Sequence, residues 1–407
     1  MRRQPTTRVA AGALATLALC TLTAATQPAA AGTSTTSAAA AATEADLTPA
    51  AGSSKVRTVG SGVELAATKP AASAAKLRQR TGFAVLAPLR LDDSVSAVEV
   101  TYRAVTPRQT TAEVDVRTRA DGAWAQWTPA ADGEVTDLLA PSREVQLRVA
   151  LSAPAGVTSP RVSNVEVAEA SASKHSAERS GPPVSSKVYA TREGLAGGTT
   201  ANGHEIAERD HFVALPSRRG LSAKGSGEYS VQACRHGRCI WEPVWDIGPW
   251  NTKDDYWNPS SEREMWRDLP QGKAQARAAH EDGYNDGKDQ YDREVSNAAG
   301  IDIADGAFWD GLQMSDNGWV DVVYQWTGNG TYGTVALDSG YLNVRSGAGT
   351  NHRVAGMAGD TARIPLKCQV TGQSVTGSQG TSTVWYRVND GMYVAKAWIK
   401  GASVEPC

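Results

Sequence analysis

The sequence predicts a mainly β chain divided into several successive domains. Short runs of alternating apolar and polar residues recur along most of its length, and turn residues separate them. The main helical candidate is one polar stretch, Ser261–Ser296. At roughly 100–200 residues per domain, 407 residues allow two to four domains, each with a core of useful size.

The first 31 residues read as an export signal. Arg2, Arg3 and Arg8 form a positive start, Val9–Leu22 is apolar and small, and Ala29-Ala30-Ala31 offers a cut before Gly32. The apolar run is too short to span a bilayer. Leu19 stands before Cys20, where a lipid-anchor site wants a small residue. The expectation is a secreted, extracellular or wall-associated protein with no membrane attachment after cleavage.

Charge and cysteine usage fit that reading. The chain has 41 Lys+Arg against 43 Asp+Glu, and without the signal 38 against 43. With no basic surplus, nucleic acid is not an expected partner. Removal of Cys20 leaves Cys234, Cys239, Cys368 and Cys407, an even number that suggests two disulfides. Of the three possible pairings, Cys234–Cys239 is a local staple around His236-Gly237-Arg238. Cys368–Cys407 would then tie down the C-terminal tail. The cysteines lack C-x-x-C spacing, so no zinc site is expected.

Residues 32–50 are Ala/Thr/Ser-rich and read as a disordered tether. Residues 51–170 carry "GFAVLAPLRL", "SAVEVTYRAV", "AEVDVRTR", "AWAQWTP", "EVQLRVAL" and "RVSNVEVAEA", the pattern of a β-sandwich. Trp124 and Trp127, three apart on one run, point to opposite faces if the run is a single strand. A polar, Pro-containing linker follows at 171–186, then a third region at 187–327 and a last β region at 331–407. Eight of the 12 Trp lie between Trp241 and Trp326, inside the third region.

In that region "TTANGHEI", "HFVALPS", "VWDIGPW" and "AGIDIADGAFWDGLQM" stand in order. Together they resemble the double-psi β-barrel of the rare lipoprotein A and expansin group and of membrane-bound lytic transglycosylase A. The resemblance covers 187–327 and implies that Asp246 occupies the catalytic acid position, with Asp302 in support. Asp246 lies between Trp245 and Ile247, before Gly248-Pro249, where burial favours a protonated carboxyl. In lytic transglycosylation one carboxyl protonates the glycosidic oxygen and then takes a proton from the sugar's own 6-hydroxyl. Two-carboxylate hydrolysis is the alternative chemistry. Trp245, Trp250, Trp257, Tyr284 and His211 are the candidate substrate-binding residues. The corner Leu215-Pro216 lacks the acid or His common in wall-active relatives, and Asn251–Val295 is an insert in the minimal barrel. From Asp282 the insert fails EF-hand spacing, with Tyr284 third and Arg293 twelfth, so neither a metal nor a cofactor is expected.

The last region carries "LNVRSGAGTNHRVAGMAGD", "VWYRV" and "MYVAKAWI". It resembles a bacterial SH3-like domain, with Leu342, Val344, Val384, Tyr386, Val394 and Trp398 at core positions. Such modules tether wall enzymes to peptidoglycan. The combined expectation is a monomeric secreted protein that binds peptidoglycan or another cell-wall polysaccharide. It either cleaves the glycan strand through Asp246 or, as expansin-like proteins do, binds it without cleavage.

Overall fold

A computed structural model describes residues 42–67, 79–120, 122–172, 181–401 and 403–407. The expected export signal, residues 32–41 of the expected tether and 173–180 of the expected linker lie outside these. No helix among the described residues is long and apolar enough to cross a membrane. The fold is mainly β, as expected.

The first region contains β1 (Thr43–Glu44), β2 (Val56–Val59), β3 (Gly62–Leu65), β4 (Gln79–Val85), β5 (Leu89–Val105), β6 (Thr111–Ala120), β7 (Ala123–Trp124), β8 (Thr128–Ala130), β9 (Glu134–Pro154) and β10 (Arg161–Ala170). The order is β2-β3-β10-β5-β9-β6-β7, with β1 on β10, β4 on β9 and β8 on β6. The long strand β9 is the pivot. Its first part pairs with β5, and its last part lies between β4 and β6. Alternation turns Leu147, Val149 and Leu151 of β9 to one side, where they meet Val114, Val98, Val162 and Val63 in a single core. The ordered region starts earlier than the tether reading allowed. Thr43–Glu44 pair with β10, and Ala45 and Leu47 enter the same core. Those two apolar side chains give the segment a place to bury surface that composition alone does not reveal.

The other face of β4-β9-β6 carries Arg117 and Gln146, then Asp115, Arg148 and Val85. Alternation alone would expose such a face. Here it docks on the third region. Asp115 is 0% exposed, with Arg148 Nη2 at 2.7 Å and Arg218 Nη2 at 3.2 Å. Arg117 pairs with Glu228 at 3.0 Å. Trp127 is buried in the core of the third region, whereas Trp124 is half-buried with the Arg117 guanidinium 4.6 Å from its ring centre.

The third region forms β11 (Ser185–Arg192), β12 (Val213–Leu215), β13 (Ser230–Arg235), β14 (Arg238–Ile247), β15 (Ala299–Ile303) and β16 (Gly318–Tyr324). They close a ring, β11-β15-β12-β14-β13-β16 and back to β11. The β11–β15 and β12–β14 pairs are parallel and the rest antiparallel. Val188, Val213, Val231, Ile240, Ile301 and Val322 fill the interior of this barrel. The insert between β14 and β15 holds one α-helix, α1 (Gln275–Asp282), stopped by Gly283 in the left-handed conformation at φ 69°.

The last region comprises β17 (Tyr332–Val335), β18 (Tyr341–Arg345), β19 (Val354–Gly359), β20 (Arg363–Pro365), β21 (Cys368–Gly377), β22 (Gly380–Asn389), β23 (Met392–Ala395) and β24 (Ile399–Gly401). Leu342, Val344, Tyr386 and Val394 are core residues, and Val384 and Trp398 pack against them. This region is not a loosely hung module. β19 pairs in parallel with β14, Cys239 opposite Gly356 and Trp241 opposite Ala358, so one sheet runs through both regions. A Cβ at Gly356 would lie 1.8 Å from the Cys239 carbonyl oxygen, so only glycine permits this approach.

Both expected disulfides form, Cys234–Cys239 across the β13–β14 hairpin and Cys368–Cys407 across a separation of 39 residues. A loop of that length corresponds to about 4 kcal/mol of denatured-state restriction. The Cys368→Ser/Cys407→Ser double variant is therefore expected to lose about that much stability in urea titrations. A loss below roughly 1 kcal/mol would show that the bridge restricts little.

Candidate functional site

Strand β12 is only three residues long, with β15 on one side and β14 on the other. Its central Ala214 is opposite Asp302 on β15 and opposite Asp246 on β14. Two aspartates 56 positions apart thus stand across two strand spacings, roughly 10 Å between Cα atoms. A third carboxyl joins them from β11. Thr191 of β11 pairs with Asp302 and donates its hydroxyl to Asp302 Oδ1. Two residues on, the Glu193 N–H donates to the Ile303 carbonyl at 2.9 Å, which carries the Glu193 side chain past the strand end.

Both Glu193 carboxyl oxygens are buried, and the carboxyl lies beside that of Asp246. Burial, followed by the negative charges of Asp246 and Asp302, pushes Glu193 well above the usual carboxylate range. Two carboxyls side by side in a buried setting favour a shared proton. Asp246 is 0% exposed, and its Oδ1 accepts from the Ala201 and Ile247 N–H groups, both at 2.8 Å. One cation stands by. Lys55, from the first region, donates to the Thr200 carbonyl at 2.8 Å, and burial draws its ammonium down to about 8 against the pull of Asp246.

The fold sets Asp246 and Asp302 on either side of Ala214, and Asp246 is enclosed rather than set at an open strand mouth. Glu193 escaped the sequence reading because the pattern "KVYATR" ends one residue before it. Its signal is an acid between a strand end and Gly194.

Three of the expected substrate-binding residues do not face a ligand. Trp257 is 0% exposed, packed among Tyr256, Tyr324 and Trp326, with Nε1 donating to Gln126 Oε1 at 2.8 Å. Trp245 is 7% exposed, its Nε1 bound to the Ser226 carbonyl at 2.8 Å and its ring 4.4 Å from His204. His211 is 2% exposed, with Nδ1 3.0 Å from Glu242 Oε1 and its ring against Tyr341 of β18. These rings fill the barrel ends and the joints between regions, where large apolar area stabilises most. Trp250 and Tyr284 are partly exposed. Trp250 Nε1 binds Asn297 Oδ1 at 3.1 Å, and Tyr284 packs in the insert on Trp266 while its hydroxyl binds Asp268 at 2.8 Å. A further exposed aromatic, missed by the sequence reading, is Trp309. It is 36% exposed and flanked by the guanidinium of Arg192, the residue before Glu193, at 4.7 Å.

Residues 184–323 match a family model described as a domain of unknown function (DUF8814). Those limits fall within one residue of the start of β11 and the end of β16, so the matched unit is the barrel with its insert. Two curated proteins of Bacillus subtilis (strain 168) are similar to short parts of the chain. Uncharacterized protein YraI is 44% identical over 55 residues, 13% of this chain and 46% of its own length. Uncharacterized protein YraJ is 40% identical over 58 residues, 14% of this chain and 49% of its own length. The chain thus spans about half the length of these relatives. No solved structure matches it.

Proposed function

We propose that this is a secreted, cell-wall-directed protein that cleaves the glycan strand of peptidoglycan or a related polysaccharide. The order of motifs in the barrel supports a double-psi architecture, and those of the last region an SH3-like module that holds the wall. The observation that carries the reading is the meeting of Glu193, Asp246 and Asp302 at neighbouring strand ends. Glu193 is the proton donor, because burial and the charges of its two acidic neighbours raise its affinity for a proton. It protonates the leaving glycosidic oxygen as the C–O bond breaks. Asp302, which accepts from the Thr191 hydroxyl, is placed to offset the positive charge that develops on the sugar ring. Glu193, now a carboxylate, takes back a proton from the sugar's 6-hydroxyl as its oxygen closes on the anomeric carbon, or from a water that attacks there. On this reading Glu193, whose buried carboxyl must open to the entering glycan, takes the acid role expected of Asp246, and Asp246, anchored by two backbone N–H groups, is its charged partner.

The same enclosure of Asp246 favours a second reading, a wall-binding barrel without bond cleavage. Digestion of purified sacculi, with soluble products read by mass, separates the two. Anhydro-muropeptides released by the wild type and lost in Asp302→Asn establish transglycosylation, and ordinary reducing ends indicate hydrolysis. Retained binding to sacculi with no release from several wall types sinks the enzyme reading.

A further inference from the structure

The polar face of β4-β9-β6 continues beyond the buried ion pairs. Past the row Val85–Arg148–Asp115, register sets two more rows on that face, Phe83–Ala150–Glu113 and Thr81–Ser152–Thr111. Here the sheet parts from the barrel and leaves a cleft of about 180 Å³. Its far wall is built by the barrel and its insert, including Ala201, Ile247, Gln290 and Tyr291. The floor is apolar, with Phe83, Ala150, Ala201 and Ile247 in one cluster. Above it runs the row of three hydroxyls. Thr81 Oγ1 is buried and meets no hydrogen-bond partner among the described residues. The charges that line the cleft are neutralised within the protein, Lys253 on Glu113 at 2.5 Å and Arg218 on Glu264 at 2.9 Å and Asp115 at 3.2 Å.

We propose that this cleft is a saccharide subsite shared between the N-terminal region and the barrel. An apolar floor beside a row of hydroxyls, with no unpaired charge, suits one neutral pyranose ring, which has an apolar C–H face and hydroxyls at its edge. The volume admits one ring, not a bulky polymer. Ala201 and Ile247, which line the cleft, are the residues whose N–H groups hold Asp246. A ring seated here lies one backbone thickness from the carboxyl cluster. The N-terminal region thus supplies half of a binding site. The inference rests on the preceding reading only for the class of polymer.

The test is calorimetric titration of the full chain with oligomers of N-acetylglucosamine and, separately, of glucose. Binding of either is expected, weakened about fivefold in Thr81→Val, the cost of one hydrogen bond, and abolished in Ser152→Leu, which fills the mouth. Both variants are expected to melt with the wild type, and Glu193→Gln is expected to bind normally. In the unmutated chain, bound oligomer is expected to slow nitration of Tyr291, a readout that needs no variant. Absence of binding by both series, or binding that leaves Tyr291 unprotected and Ser152→Leu unaffected, overturns the proposal. Cleft-dependent binding by a wild type that releases nothing from sacculi upholds the subsite and overturns the enzyme reading. Release that persists in Ser152→Leu without such binding does the reverse.

Discussion

Glu193→Gln is expected to lower muropeptide release from sacculi by roughly 10²–10⁴-fold, the usual contribution of a positioned general acid. Glutamine has the shape of the protonated acid but no proton to give. Stability should move the other way with pH. Burial and the neighbouring charges of Asp246 and Asp302 raise Glu193 above its unfolded value. The stability tied to its protonated form is therefore fully present below about pH 4, near the ordinary glutamate value, and is lost as pH rises through the folded value. Glutamine stays neutral throughout, so the variant should equal or exceed the wild type at neutral pH and lose less between pH 4 and pH 8. Urea titrations at those two pH values check this, alongside the release assay. Full release by the variant removes Glu193 from the chemistry, and parallel pH profiles show that it is not the proton holder.

The largest expected effect on stability is at Asp115. Asp115→Ala leaves the Arg148 and Arg218 guanidinium groups buried without their shared carboxylate. Removal of one side of a buried ion pair costs about 3–5 kcal/mol. Because this cluster joins the first region to the barrel, urea unfolding of the variant should split into two transitions. Burial pushes Asp115 up, but Arg218 and Arg148 pull it further down, to a net value below the usual range. The sign is opposite to that of Glu193. The stability it contributes is present above about pH 4 and is lost as pH falls through the depressed value. A loss under roughly 1 kcal/mol, with unfolding still in one step, would mean that the interface does not depend on this cluster.

Much of the β architecture was legible because its information is local. Alternation in "EVQLRVAL" and "AEVDVRTR" marks strands whatever they pack against, and Leu147, Val149 and Val114 face the core that this period implies. The cysteine pairs were likewise readable from spacing, since a separation of five favours a hairpin staple. What alternation could not say is where the polar face goes. Asp115, Arg117 and Arg148 have the pattern of a solvated face, and only the partner surface with Arg218 and Glu228 turns them into a buried joint.

Residue patterning is enough for a mainly β chain with alternating strands, for four cysteines that favour a local pair at 234 and 239, and for Asp246 and Asp302 as the carboxyls of the resembling motifs. Only the folded chain shows that Glu193 stands with them, its affinity for a proton raised. It also shows that Trp245, Trp257 and His211 are buried in packing. The difference is one of range. Strand period and hairpin staples depend on neighbours a few residues away. Proton affinity and burial depend on groups that a closed ring of strands brings together from more than 50 positions apart, such as Glu193 and Asp246.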